Sequence, residues 1–216
     1  MEQAVLTPSQ QAVADAVARE PKLGSFYLSG GTALAGYYLH HRESDDLDFF
    51  VRDVFDMPFV HSFILRLKGD LHASEVRFER LYDRNQFFFV MPDGELKVEF
   101  TVYPFEQLEE SSVVGGLRVD SLRDIAANKL MALIDRFDPK DFVDIFFLLQ
   151  EFGLDAVRAD AEKKFGVTLS DMALGQEFAK VRRVEALPKM KKPLDVQELK
   201  SFFTEQAQKL KQGIIE

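Results

Sequence analysis

The pattern of apolar residues changes character near residue 118, and this change constrains the fold more than any other feature of the chain. Before it, short runs rich in Phe, Val, Leu and Tyr are separated by turns marked with Gly and Pro. After it, apolar residues recur at three- and four-residue spacing over long stretches. An α+β protein is predicted: a small mixed sheet with flanking helices over residues 1–118, followed by a C-terminal helical bundle over residues 119–216.

The first helix opens at Thr7-Pro8-Ser9-Gln10, where Thr can cap, Pro suits the first helical position and Gln closes a capping box; it runs to about Arg19. Phe26-Tyr27-Leu28 reads as a strand that stops at Gly30-Gly31, and Thr32 to His41 as a helix. Asp45 to Val51 is the next strand, with a helix from Pro58 to Leu67. Strands over Ala73–Tyr82 and Gln86–Val90 lead to the turn Pro92-Asp93-Gly94-Glu95 and a returning strand, Leu96–Tyr103. Beyond Gly115-Gly116 the strand pattern largely ends, and helices are predicted near residues 121–136, 139–152, 155–165, 170–180 and 195–211.

The composition excludes several classes. No Cys is present among the 216 residues, so disulfides and thiolate metal sites are ruled out. The start of the chain lacks the basic and apolar pattern of a signal peptide, and no apolar run approaches the roughly 20 residues needed to cross a bilayer, so a cytoplasmic protein without membrane contact is expected. A net charge of -9 argues against a broad electrostatic grip on nucleic acid and confines any RNA contact to a local patch.

In the strand pattern Asp46-Leu47-Asp48-Phe49-Phe50, the two carboxylates point to one face while Leu47 and Phe49 point to the other. Close like charges are relieved by a divalent cation, and oxygen-only ligands suit Mg2+ at phosphoryl or nucleotidyl transfer sites. In Lys97-Val98-Glu99-Phe100, Glu99 again lies on the polar face. If the two strands are neighbours, Asp46, Asp48 and Glu99 form a candidate metal set, with Glu99 also placed to accept a proton; in the plainer alternative Glu99 pairs with Lys97 or a cross-strand base. Gly30, Gly31 and Thr32, at a glycine turn opening a helix, are candidates for holding the phosphates of an NTP, although a glycine pair also serves as a simple tight turn.

The set of motifs Leu28-Ser29-Gly30-Gly31-Thr32-Ala33-Leu34, Asp46-Leu47-Asp48-Phe49-Phe50, Ala126-Ala127-Asn128-Lys129 with Arg136, and Asp141-Phe142-Val143-Asp144 resembles the AbiEii/AbiGii-type toxins, within the polymerase-beta-like nucleotidyltransferases. The resemblance spans roughly residues 26–150, and Glu99 stands where the superfamily usually has Asp. It implies a nucleotidyltransferase core using NTP and Mg2+, and a toxin in a toxin-antitoxin or phage-defence pair. A cognate antitoxin and, as for some relatives, a transfer RNA acceptor are then the expected partners. Lys129, Asp141 and Asp144 become candidate catalytic residues on this basis. γ-Phosphate transfer on the same fold, or a catalytically silent binding module, are the rival readings.

Helical spacing independently places Lys129 on an apolar stripe, with Arg136 two turns on, so the two can flank an anionic ligand such as a triphosphate. Asp138 can cap the next helix, which leaves Asp141 in its first turn and Asp144 one turn further, able to pair with Lys129 or Arg136. His40 and His41 have no metal-ligand spacing and are expected to face solvent or a helix end. The densest basic segment includes Arg182, Arg183, Lys189 and Lys191, a candidate for RNA phosphate contact or, equally, for an acidic partner.

Overall fold

The computed structural model describes residues 6–92 and 94–212. It divides into two compact units: residues 1–38 with 44–121, and residues 39–43 with 122–216.

In the first unit, α1 (Pro8–Arg19) starts at the capping box, with Thr7 accepting from the Gln10 amide at 3.2 Å and Pro8 at the start of the helix. β1 (Tyr27–Ser29) runs into α2 (Gly30–Ala33), which continues as a π-wound turn over Leu34–Leu39. β2 (Leu47–Val51) and α3 (Met57–Asp70, capped by Asp56) follow. β3 (Glu75–Leu81), β4 (Arg84–Met91) and β5 (Gly94–Val102) form consecutive hairpins. Tyr82, at φ 55°, turns the first of these hairpins; in the second, Asp93 of the Pro92-Asp93-Gly94-Glu95 turn lies outside the described residues.

The sheet does not end there. β6 (Ser112–Val114) and β7 (Leu117–Val119) form a further hairpin. Gly115 and Gly116, at φ 59° and 88°, therefore make a tight hairpin turn instead of closing the strand region. Such three-residue strands are too short to show an alternation in the sequence. The sheet has the order β3-β4-β5-β2-β1-β7-β6, with β2 parallel to β5, β1 antiparallel to β2, and β7 parallel to β1.

The period-two pattern sorts the two faces. Leu47, Phe49, Val98, Phe100, Phe87 and Phe89 are at most 1% exposed, and the Phe49 and Phe100 rings stack at 5.3 Å. Val60, Phe63, Ile64 and Leu67 of α3 are buried as well. Burying side chains of this size contributes about 1.5–3 kcal/mol each, and this holds the strands so that Asp48 and Glu99 fall on the opposite face.

The second unit contains α4 (Leu122–Asp135), α5 (Pro139–Phe152), α6 (Leu154–Phe165), α7 (Asp171–Ala179) and α8 (Val196–Gln212), with a 3-10 turn over Lys180–Arg183. Asp138 caps α5 by accepting from the Lys140 amide at 2.9 Å, and Gly153, at φ 75°, ends it. Phe142, Phe178 and Phe203 meet edge to face at 5.1 Å to form its core. Among the described residues, no helix is long and apolar enough to cross a membrane.

Candidate active site

In the first unit, Ser29, Asp48 and Glu99 lie side by side on three neighbouring strands, as the pairings Ser29↔Asp48 and Asp48↔Glu99 require. Asp46 sits just before β2. Its position is set by the loop ahead of it: the buried Gln10 amide donates to the carbonyls of Ser44 at 2.7 Å and Asp45 at 3.1 Å, and the Thr32 hydroxyl donates to the Asp46 carbonyl. Thr32 is 2% exposed and also lies 2.9 Å from the Ser44 hydroxyl, so in this structure it positions the acidic loop.

Gly30 is required on two counts. It sits at φ 70°, in the left-handed region that side chains disfavour, and a Cβ built on it would lie 2.5 Å from Asp48 Oδ2. A helix start and a carboxylate are thereby brought together at a spacing only glycine permits. The first amides of such a helix have no intrahelical acceptor and favour anions.

The charges on this face are unevenly satisfied. Burial, and then the neighbouring charge of Glu99, push the Asp48 carboxyl up to about 6. For Glu99, burial works against the charge, but the hydrogen bonds from Arg84, Gln86 and Thr101 outweigh it and bring the carboxyl down to about 2. Glu99 is thereby held in its ionised form. It pairs with a cross-strand base, Arg84 on β4, as the plainer alternative had it. Lys97, two residues before Glu99, brings its ammonium to 2.9 Å from Asp46 Oδ2.

Whether these residues fit a divalent cation can be judged from the donors themselves. Asp46 and Asp48 supply carboxylate oxygens only, the chemistry Mg2+ prefers. Those two residues fit. Among the described residues, no group of three or more acidic or His side chains is arranged to hold a metal ion.

The remaining candidates gather in the second unit. Lys129 is buried, with Nζ 2.9 Å from Asp141 Oδ1 and 2.7 Å from Asp144 Oδ2, and Arg136 Nε donates to Asp141 Oδ2 at 2.9 Å. Burial opposes the Lys129 charge, but Asp144 and Asp141 together hold its pKa above the ordinary value. Asp144 is likewise desolvated, yet Lys129 and Arg42 hold its carboxyl far below the usual range.

His41 and Arg42 complete this cluster. The Arg42 guanidinium makes two hydrogen bonds to Asp144, at 2.7 and 2.8 Å, and His41 Nε2 lies 2.8 Å from Asp144 Oδ1. Both are at most 1% exposed, so His41 does not face solvent, and burial lowers its pKa. The backbone adds to the attachment: Glu43 N–H donates to the Lys189 carbonyl, and the Lys191 and Lys192 amides donate to the His41 carbonyl. Asp144 thus ties residues 39–43 to α4 and α5. No spacing in the sequence announces this role, because the partners are about a hundred residues apart.

In the basic segment, the Arg183 guanidinium lies 4.1 Å over the Phe137 ring, while Lys191 and Lys189 lie 2.8 and 3.5 Å from Glu43. Arg182 lines an open groove of about 600 Å³ together with residues of α7 and α8.

The chain matches the family described as nucleotidyl transferase AbiEii toxin, type IV toxin-antitoxin system, over residues 11–213. A protein of Aquifex aeolicus (strain VF5) described only as uncharacterized protein aq_aa25 is 38% identical over 132 residues, which is 60% of this chain and 60% of the relative, so the match spans well under the relative's whole length. Among solved structures, JHP933 from Helicobacter pylori superposes with a TM-score of 0.64 at 20% identity, covering 99% of this chain and 94% of its own. A protein from H. pylori solved under a provisional nucleotidyltransferase description gives 0.65 at 21% identity, covering 100% and 99%. These likenesses show the nucleotidyltransferase fold, and the match across residues 11–213 shows the lineage: the chain belongs to the AbiEii nucleotidyl transferase toxin family.

Proposed function

We propose that this protein transfers a nucleoside monophosphate from a Mg2+-bound NTP to an acceptor hydroxyl, and that it does so as the toxin of a type IV toxin-antitoxin pair with a cognate antitoxin. The observation that carries the reading is the approach of the Gly30 helix start to Asp48, with Asp46 held on the same face. It sets a glycine turn, where backbone amides are open to close approach, beside two carboxylates whose oxygens can ligate a cation.

In this reading Gly30 and Gly31 let the NTP phosphates come close to backbone amides, and Asp46 and Asp48 hold the cation. When bound, Mg2+ supplies the positive charge that offsets the charge building on the leaving pyrophosphate. Gln10 and Thr32 keep the loop before β2 in place, so that Asp46 needs little rearrangement on binding.

The acceptor is proposed to be an RNA such as transfer RNA, contacted through Arg182, Arg183, Lys189 and Lys191. Charge distribution supports this placement. Residues 1–38 and 44–121 carry 19 acidic and 10 basic side chains, whereas the second unit carries 17 of each, so the net charge of -9 belongs to the first unit. A polyanion is repelled less by the second.

The test is transfer from NTP labelled at either the α- or the γ-phosphate, with total transfer RNA as acceptor. Label from the α-position entering RNA, with release of pyrophosphate and loss of both in Asp46→Asn, is the expected result. Transfer of γ-label instead would make the chain a phosphotransferase, and no transfer at all from either position would favour a binding module.

A further inference from the structure

The acidic face of the first unit holds its own cations. Glu99 accepts from Arg84 Nε at 2.6 Å and from the Thr101 hydroxyl at 2.7 Å on Oε1, and from Arg84 Nη2 at 2.7 Å and Gln86 Nε2 at 2.9 Å on Oε2. A carboxylate offers about four lone-pair sites. All four are therefore engaged, two of them by a fork-like guanidinium pair that is among the stronger ionic contacts in proteins. A metal ion reaching Glu99 would have to replace these donors on a side chain that is 2% exposed.

Lys97 projects from β5 onto the same face as Glu99, two residues on. Its Nζ stands 2.9 Å from Asp46 Oδ2 and 3.6 Å from Glu99 Oε2, so one ammonium bridges two carboxylates of the site. The side chain is only 17% exposed, and the charge is held in the face.

From this arrangement we infer that the face takes a single divalent cation, on Asp46 and Asp48, and that Lys97 and Arg84 supply the positive charge a second cation would otherwise bring. The inference rests on the metal-dependent reading above and deepens it. Lys97 then sets the affinity of the site, because its ammonium competes with the metal for Asp46. Arg84 keeps Glu99 out of the ligand set.

The experiment counts Mn2+, which shares the oxygen preference of Mg2+ and is visible by electron paramagnetic resonance. The purified full chain is titrated with Mn2+ alone at pH 7.5, and folding of each variant is checked by thermal melting. Wild type is expected to bind one Mn2+ per chain and Asp48→Asn none. Glu99→Gln should still bind one. Lys97→Met should bind one about tenfold more tightly, since a unit charge at contact distance from the ligand oxygen is removed. Two Mn2+ per wild-type chain, one of them lost in Glu99→Gln, would overturn the inference while leaving the metal-dependent enzyme intact. Unchanged or weaker binding in Lys97→Met would also overturn it. A wild-type chain that binds no Mn2+ would overturn both.

Discussion

Gly30 and Asp48 are packed so closely that a methyl group on residue 30 would lie 2.5 Å from the Asp48 carboxylate. The contact joins a helix start to an acidic strand, and it brings together two motifs 18 residues apart. Gly30→Ala should therefore displace the Asp48 side chain or the helix start. We expect transfer activity to fall at least about a hundredfold, with a stability loss of about 1–2 kcal/mol from the left-handed φ. Gly69→Ala, in α3 with nothing within 4 Å of the new Cβ, is the control and should be neutral or slightly stabilising. Chemical denaturation and labelled-NTP assays on the pair check both statements.

The raised carboxyl of Asp48 makes stability depend on pH. Between the ordinary value of 3.8 and about 6, the folded chain holds a proton that the unfolded chain has released. Asp48 therefore subtracts from stability progressively as pH rises through that window, and the deficit stays constant above it. Asp48→Asn removes the effect. In EDTA at pH 7.5 the Asn variant should be more stable than wild type by about 1–3 kcal/mol, and near pH 3.5 the two should agree. Urea titrations at the two pH values measure this; equal differences at both would show that Asp48 is not desolvated.

The Lys129 cluster predicts a contrast between two cations that share Asp141. Lys129 is buried and bonded to both carboxylates, whereas the Arg136 side chain is 54% exposed. Lys129→Met should destabilise by about 3 kcal/mol, because it strands desolvated charge. Arg136→Met should cost less than about 1 kcal/mol. Urea midpoints decide it, and a Lys129→Met variant as stable as wild type would mean that Arg42 and Arg136 alone suffice to hold Asp141 and Asp144.

If the basic segment meets RNA, replacing Arg182, Arg183, Lys189 and Lys191 together by Gln should weaken transfer RNA binding more than tenfold. The slope of log affinity against log salt should flatten by up to about 3. ATP affinity should be unchanged. A salt slope equal to that of wild type would place the RNA elsewhere.

Much of the architecture was legible in the residues because it depends on local rules. The capping box at Thr7 and Gln10, the Asp138-Pro139 helix start, and the alternation that turns Asp48 and Glu99 to one face are all short-range patterns. The change from strand to helix periodicity was equally visible, and only the small hairpin around Gly115-Gly116 fell below what alternation can reveal.

What the tertiary structure alone decided is which charges meet. Nothing in the spacing of His41, Arg42 and Asp144 marks them as neighbours, yet they form a buried cluster that assigns residues 39–43 to the helical unit. Likewise the sequence places Asp48 and Glu99 on one face, but not the Arg84 fork that saturates Glu99, nor the Lys97 ammonium resting on Asp46. The reason is physical. Periodicity reports which face of an element is buried, whereas the partner of a polar group on that face depends on strand order and register between distant segments, and these are settled by packing of the whole core.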